Sequence, residues 1–516
     1  MKPFELPAIA DFFRGREIFI TGGTGFLGKA IIEKILYSCP DVKRIYLLLR
    51  CKKSVSVCDR LVKFKSNQIF NRVRERDESL LDKIEALPGD SMCLKLGLSE
   101  EDIEKMENVS VIINSAASVR FDEPLGQAVF MNTRSARELC LIAEKLKNLK
   151  VLVHISTTYC NTNYPVIEEK VYPPLADWRE TIKMAESVDT DILEIIAKKY
   201  MDFQPNTYTF TKHLAEQIMN EWSGKLPIII FRPSIITPSV KEPFEGWVDN
   251  FNGITGILAA GGSGLARALY GSTKVKNNFQ PLDVCVRSLL VATWKRGRAI
   301  GNEMAVYNCA CSKEREVQIG EVFSNCCKIC VDVPLDEMIW LPNATLTTCF
   351  YFYKIILFLF QVFPGMIFDL VLKMIKKKPI ALFIMRKFHF ASSSLSYFMF
   401  RDWLFVNDNC FNLMNDIKNE DMEAFGFDFY ESIGIMEYMY QSSLGGRRYL
   451  MNQPDENLPR ARRNYRIFWL LDRGVKLISW TSLIYFLITR FDLLNFSKDN
   501  ILLQQSLNFL NISSSL

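Results

Sequence analysis

The sequence predicts an α/β fold: a doubly wound parallel sheet followed by a mostly helical C-terminal domain that carries a membrane segment. Three observations predict it. Strand-like and helix-like runs alternate to about residue 330, the pattern of a parallel sheet covered by helices on both faces. A glycine-rich turn joins the first strand to the first helix. Beyond about residue 340 helical patterns dominate, with two strongly apolar stretches.

The first strand is Arg16-Glu17-Ile18-Phe19-Ile20. It runs into Thr21-Gly22-Gly23-Thr24-Gly25-Phe26-Leu27-Gly28, and the helix that follows has apolar residues at 27, 31, 32, 35 and 36, one buried face. In this strand–turn–helix context, Thr21 to Gly28 can seat a dinucleotide pyrophosphate. Gly22 permits the tight turn, Gly25 lets the backbone approach the phosphates, and Gly28 allows helix to pack on strand. N–H groups at the helix start then face the phosphates. The domain is therefore expected to be Rossmann-type. The GxxGxxG spacing resembles that of the short-chain dehydrogenase/reductase superfamily.

A second strand, residues 44–49, ends in Arg50-Cys51-Lys52-Lys53. An enzyme preferring NAD usually places an acidic residue here for the ribose 2′-OH. Three cations stand here instead. Arg50, which can bind a phosphate bidentately, and Lys53 would pair with a 2′-phosphate, so the expected cofactor is NADPH. A further strand, residues 109–114, ends in Ser115-Ala116-Ala117, small enough to leave room for the nicotinamide-side ribose. The superfamily resemblance implies cofactor contacts at Ser115 and Ala116, at Asp90 on the adenine edge, and at Pro233.

Tyr208 and Lys212 are four residues apart and share a helix face. An ammonium there, with the positive nicotinamide, is expected to lower the phenol pKa. Tyr208 would protonate the oxygen that gains charge when hydride attacks carbon, and Lys212 would hold the ribose hydroxyls. One more strand, residues 151–155, precedes them and ends in Ser156-Thr157-Thr158-Tyr159. A hydroxyl here would stabilise the oxyanion. The superfamily pattern favours Thr157, with Ser156 next.

The resemblance then narrows. Ala116-Ala117-Ser118-Val119-Arg120-Phe121-Asp122-Glu123-Pro124, the segment from His154 to Asn161, Pro205 to Lys212, and the run from Phe231 to Gly253 resemble the fatty acyl-CoA reductase family. So do Phe400-Arg401-Asp402-Trp403, Phe425-Gly426-Phe427-Asp428 and Gly445-Gly446-Arg447-Arg448-Tyr449-Leu450. This resemblance implies NADPH-dependent reduction of a long-chain fatty acyl-CoA to a primary alcohol through an aldehyde. It implies a catalytic domain over 1–340, a helical domain over 341–460 and a membrane-anchoring segment over 461–516. Departures are His213, where the family usually has Ala, Gly434, where a tryptophan is common, and the loosely matching 343–385. A membrane-bound steroid dehydrogenase would share the glycine turn and the Tyr/Lys pair but not the 231–253 run. A scaffold that binds cofactor without catalysis would not need an intact Tyr208 and Lys212.

Composition narrows the partners. A net charge of +5 over 516 residues makes no case for nucleic acid, although local basic loops suit CoA phosphates. The N-terminus shows no charged-then-apolar signal pattern. Fourteen cysteines without framework spacing read as cytosolic thiols. One CxxC, in Cys326-Cys327-Lys328-Ile329-Cys330, with three histidines in the whole chain makes no zinc site, and no metal is expected. Val475 to Thr489 is short of a span; counting back to Ile467 reaches the length but includes Asp472, Arg473 and Lys476. Its upstream arginines would keep the catalytic body cytosolic, on an endoplasmic reticulum or peroxisomal membrane. A C-terminal anchor or interfacial helix is expected, with a buried helix as the alternative. Ile355 to Phe368 is also uncharged, and Phe363-Pro364-Gly365 is expected to interrupt it. It suits either a membrane-dipping hairpin or helices lining an acyl tunnel. The partners expected are acyl-CoA and membrane lipid, and a homo-oligomer is left open.

Overall fold

The computed structural model describes residues 8–51, 55–301 and 303–491. Lys53 and the end of the expected anchor lie outside the described residues. Seven strands form the central sheet: β1 (Glu17–Thr21), β2 (Arg44–Leu49), β3 (Ile84–Pro88), β4 (Val109–Asn114), β5 (Val151–Ile155), β6 (Ile228–Pro233) and β7 (Ala305–Cys309). Their spatial order is β7-β6-β5-β4-β1-β2-β3 and every pairing is parallel. Strands such as β1 and β5 are buried along their whole length, which is why they read as continuous apolar runs rather than alternating ones. Strand order reverses between β1 and β4, where a doubly wound sheet opens its ligand crevice.

The helices that matter to the site are α1 (Phe26–Ser38), α2 (Thr207–Trp222), α3 (Ile254–Gly262), α4 (Leu282–Arg298) and α5 (Ile319–Asp332). Helix α2 starts where Asn206 Oδ1 accepts the Thr209 N–H at 2.9 Å, an N-cap. α1 and α4 cover one face of the sheet with residues such as Ile31, Ile35 and Leu289. α2 covers the other with Phe210, Leu214 and Ile218.

The C-terminal part comprises α6 (Phe350–Met374), α7 (Ala381–Leu395), α8 (Ile435–Gly445) and α9 (Leu458–Phe491). It does not sit apart from the sheet domain. Residues 404–405 pair in parallel with 166–167, and 345–347 with 268–270. The Ile9 N–H donates to Asp421 Oδ2 at 2.8 Å, and Phe425, Phe427 and Tyr438 join the core beneath α4. Helix α8 approaches the 239–248 loop so closely that a Cβ on Gly445 would stand 1.8 Å from the Gly246 carbonyl. α9 begins at Leu458 and runs straight through the expected 460/461 boundary.

Two apolar stretches differ from expectation. Phe363-Pro364-Gly365 does not interrupt its helix. A π-helical turn over Phe358–Val362 precedes it, and the wider turn relieves the clash of the proline ring with the carbonyl behind it. Gly365 instead serves a contact: its Cβ would lie 2.4 Å from Met385 Sδ on α7. α6 is long and apolar enough to cross a membrane by length and composition. In α9, Asp472 accepts from Trp340 Nε1 at 3.2 Å and pairs with Lys476 at 2.7 Å. Asp472 is therefore docked on the body, and the large apolar side chains that follow it, such as Ile478 and Trp480, are exposed.

A buried charge cluster fastens α1 and α4 to the loop before the substrate side. Glu242 meets Lys34 at 2.7 Å, Arg72 at 3.0 Å and Arg287 at 3.0 Å. Burial disfavours its charge, but Lys34, Arg287 and Arg72 outweigh burial and hold the carboxyl down at about 2, from an ordinary 4.5. Its contribution is complete above the ordinary value and is lost as pH falls towards the depressed one, worth up to roughly 3 kcal/mol. Glu33 runs the other way, pushed up by burial despite Arg72, and offsets part of this. Glu242→Gln should therefore lower the thermal midpoint at neutral pH, and its gap from the wild type should narrow between about pH 5 and pH 3. A gap independent of pH would show that the cluster's charge is not what stabilises it.

Candidate active site

The glycine turn lies at the carboxyl end of β1. Gly22 has φ +70°, and its Cβ would stand 2.5 Å from the Ala116 nitrogen. A Cβ on Gly28 would meet the Gly22 carbonyl at 2.4 Å. Gly23 packs differently: its Cβ would strike Leu47 Cδ1 at 2.3 Å, so it serves sheet packing. Thr24 and Gly25 are exposed at the tip, while Leu27 points into the core. Phe26 stacks on Trp247 with ring centroids 5.2 Å apart. The exposed turn, the free first-turn N–H groups of a 13-residue helix and the space left by the missing side chains fit a dinucleotide pyrophosphate. Gly22→Ala should cost cofactor affinity at least tenfold through strain at this φ and the clash, read as a rise in Kd by fluorescence titration.

Thr21 locks the opposite wall. Its hydroxyl donates to Asn114 Oδ1 at 2.7 Å and accepts the Ala116 N–H at 3.2 Å, while the Ser115 N–H donates to the Thr21 carbonyl at 3.2 Å. Ser115 and Ala116 thus sit beside the turn across the reversal point. At the end of β2, Arg50 is more than half exposed and lies 4.0 Å from Asp90, which follows β3. Pro233 is buried at the carboxyl end of β6, paired with Cys309.

Tyr208 occupies the first turn of α2, beneath Phe121, whose ring centroid is 6.0 Å away. The ring is half-buried while its hydroxyl lies deep in the molecule. Burial pushes the phenol up, Cys160 adds to this, and the Thr157 hydroxyl pulls it back. This corrects the expectation of a lowered phenol: the Lys212 ammonium donates to the Ile155 carbonyl at 2.6 Å rather than to the phenol, so desolvation decides. Burial brings Lys212 itself down to about 8, with Glu216 opposing.

Thr157 begins the short turn after β5 and accepts the Tyr159 N–H at 3.2 Å. Of the two candidate hydroxyls, it is the one facing Tyr208. Ser156 turns to Cys160 Sγ at 3.8 Å and towards Glu216. His213 is structural. Its Nδ1 bonds Asn161 Oδ1 at 2.9 Å and its Nε2 accepts the Leu175 N–H at 3.3 Å. These contacts suit a neutral ring, and burial lowers it to about 4.

Beneath the Tyr/Lys pair lies a contact that the sequence motifs do not announce. Glu216, fully buried, takes a bidentate pair from Arg232 at 2.8 and 2.7 Å. Arg232 also donates to the carbonyls of Glu168 and Lys170. Residues 208, 212 and 216 repeat every four positions, so the signal was present in the helical spacing.

An apolar cavity of about 170 Å³ opens between α3, α5 and α8, lined by Val248, Leu258, Val322, Cys330, Tyr438 and Leu450. No residue of 343–385 lines it; within that stretch Tyr353, Ile356 and Leu357 pack instead around Ala268. Tyr208, Lys212 and Thr157 are absent from its walls too. The cavity adjoins the cofactor crevice through the 247–249 segment. Val248 faces the cavity, Trp247 stacks on the glycine turn, and Asp249 pairs with Lys29 of α1. Tyr438 Oη donates to the Pro238 carbonyl at 2.6 Å and bonds the Thr237 hydroxyl at 2.7 Å, fixing α8 as its lid.

Comparison with known proteins agrees with this arrangement. An NAD-binding profile described as "Male sterility protein" matches residues 20–289, and a second, Sterile, with the same description matches residues 360–453. Among solved structures, the terminal R domain from the myxalamid PKS-NRPS biosynthetic pathway shares the fold at TM-score 0.52 and 18% identity, over 86% of this chain and 93% of that one. The R domain of a Mycobacterium tuberculosis non-ribosomal peptide synthetase does so at TM-score 0.53 and 16% identity, with the same coverage. Fatty acyl-CoA reductase 1 of Xenopus laevis is 34% identical and that of Mus musculus 35%, each over 89% of both chains. Fatty acyl-CoA reductase wat of Drosophila melanogaster is 32% identical over 92% of this chain and 90% of its own. With such identity extending through both the sheet domain and the C-terminal helices, the chain belongs to the fatty acyl-CoA reductase family.

Proposed function

We propose that the protein reduces a long-chain fatty acyl-CoA to the primary alcohol through an aldehyde, with NADPH, at a cytosolic membrane face. The observation that carries this is the meeting of Tyr208 and Thr157 at the carboxyl end of β5, on the same sheet edge as the glycine turn, whose neighbour Trp247 leads through Val248 to an apolar cavity. When bound, NADPH would supply hydride to the thioester carbon; the resulting hemithioacetal would release CoA as the free thiol to leave the aldehyde, and a second NADPH would supply the hydride that takes the aldehyde to the alcohol. The phenol, which burial pushes towards its protonated form, donates its proton to the oxygen. The Thr157 hydroxyl donates to the same oxygen as charge develops. Lys212 holds the ribose end of the site, and the cavity receives the acyl chain. Thr21 to Gly28 hold the pyrophosphate, with Ser115, Ala116 and Pro233 bordering the nicotinamide side. The exposed part of α9 after Asp472 serves as the anchor, in an endoplasmic reticulum or peroxisomal membrane.

The test is NADPH oxidation by detergent-solubilised full-length protein given a panel of saturated acyl-CoAs, with products separated by gas chromatography. Alcohol supports the reading; aldehyde alone restricts it to one hydride step; no oxidation in protein that binds NADPH overturns it. Arg50 carries the coenzyme choice. Arg50→Ala should raise KM for NADPH about tenfold or more while leaving KM for NADH within twofold, since only the 2′-phosphate loses a bidentate partner. Equal effects on both would remove Arg50 from the assignment.

A further inference from the structure

Two apolar elements leave the body from one corner. The Arg267 N–H donates to Gln361 on α6 at 3.3 Å, and its guanidinium to the Leu341 carbonyl at 3.0 Å. Next to it, Trp340 holds Asp472 of α9 and packs its ring on Phe468. Beyond these ties both elements expose large apolar side chains, among them Phe360 and Leu370 on α6, Phe383 on α7, and Ile478 and Trp480 on α9.

The surface is also basic. Residues 350–395 hold seven cations, Lys354, Lys373, Lys376, Lys377, Lys378, Arg386 and Lys387, against one acid, Asp369. Asp369 is committed to the turn, accepting the N–H groups of Ile380, Ala381 and Leu382 at 2.9, 2.9 and 3.0 Å. An apolar face rimmed by unneutralised lysines matches the boundary of an anionic lipid leaflet.

Length decides how the hairpin meets it. α6, with 25 residues, is about 37 Å long and could cross a hydrocarbon core of about 30 Å. The chain must return, because both ends of the hairpin are fastened to the same body. Residues 345–347 pair with 268–270 before it, and the Trp403 indole donates to the Thr162 carbonyl after it. The return helix α7 has 15 residues, about 22 Å, too short to cross. It also carries Arg386 and Lys387 mid-helix, and crossing would drag Lys376, Lys377 and Lys378 through the core. The Gly365–Met385 contact keeps the two helices together.

We infer that α6 and α7 form an interfacial hairpin, lying along the headgroup boundary of an anionic leaflet without crossing it, on the same leaflet that faces the base of α9. This goes beyond the reductase reading and stands independently of it. Two measurements on the full chain test it. A photo-crosslinking residue at Phe383, in liposomes with and without phosphatidylserine, should label lipid several-fold more with it. Lys376→Glu/Lys377→Glu/Lys378→Glu should abolish that gain, since each basic residue near an anionic surface is worth about fivefold in residence. A linker-spaced glycosylation tag inserted between Lys377 and Lys378 should stay unmodified in microsomes. Glycosylation of the tag would mean that the hairpin crosses. Equal labelling in both lipids, or labelling of a second protein copy, would equally overturn the proposal.

Discussion

Tyr208→Phe should reduce kcat by about 10²–10⁴-fold while leaving cofactor affinity and the thermal midpoint close to those of the wild type. The ring keeps its stacking on Phe121, so the variant loses only the proton. The oxygen that accepts charge would then have the Thr157 hydroxyl and no acid beside it. Thr157→Val should cost less, about 10–10²-fold, because one donor is lost and the acid remains. The check is single-turnover hydride transfer with saturating acyl-CoA, alongside a cofactor titration. If Tyr208→Phe turned over within tenfold of the wild type, the phenol would not be the acid, and another donor would have to be found near Thr157.

The second large effect lies one helical turn deeper. Glu216→Gln should destabilise the protein by about 3–5 kcal/mol, because it strands the Arg232 guanidinium without its carboxylate in a site sealed from water. It should also change the chemistry. Lys212 is held at about 8, burial lowering it and Glu216 raising it. The protonated amine is the working form, so activity should fall as pH rises through that value. Without the carboxylate the fall should begin at lower pH. The kcat–pH profile separates this positioning role from simple loss of stability. The paired variant Glu216→Leu/Arg232→Met should recover stability, since both charges leave together, yet keep the shifted profile. An unshifted profile in both variants would confine Glu216 to a structural role.

Much of the catalytic half was legible in the residues. The glycine turn, the Tyr208/Lys212 spacing and the strand ending in Ser156-Thr157 are local patterns, and the structure brings all of them to the carboxyl edge of one sheet. β1, β2, β4 and β5 were visible as apolar runs. β3, β6 and β7 were not singled out; β6 was met only through Phe231-Arg232-Pro233. The reading of Tyr208 as a lowered phenol failed for a tertiary reason. Helical spacing places Lys212 on the right face, but the Ile155 carbonyl, distant in sequence, captures the ammonium. Proline and glycine at 364 and 365 misled for two reasons: a π-helical turn in the residues just before them accommodates the proline, and Met385 of α7 packs where the glycine lacks a side chain.

What the sequence determined by itself is the chemistry that depends on short spacing. Residues a few positions apart are placed by the geometry of one helix or one turn, whatever surrounds them. Tertiary structure alone decided which hydroxyl faces the phenol, which charges support Lys212, and where an apolar cavity opens. The cavity is walled by segments from residues 237 to 451, and the corner from which α6 and α9 leave the body joins Arg267, Trp340, Gln361 and Asp472. Such contacts are set by packing between distant segments, and by which polar groups the folded body removes from water. Neither is encoded in any local pattern.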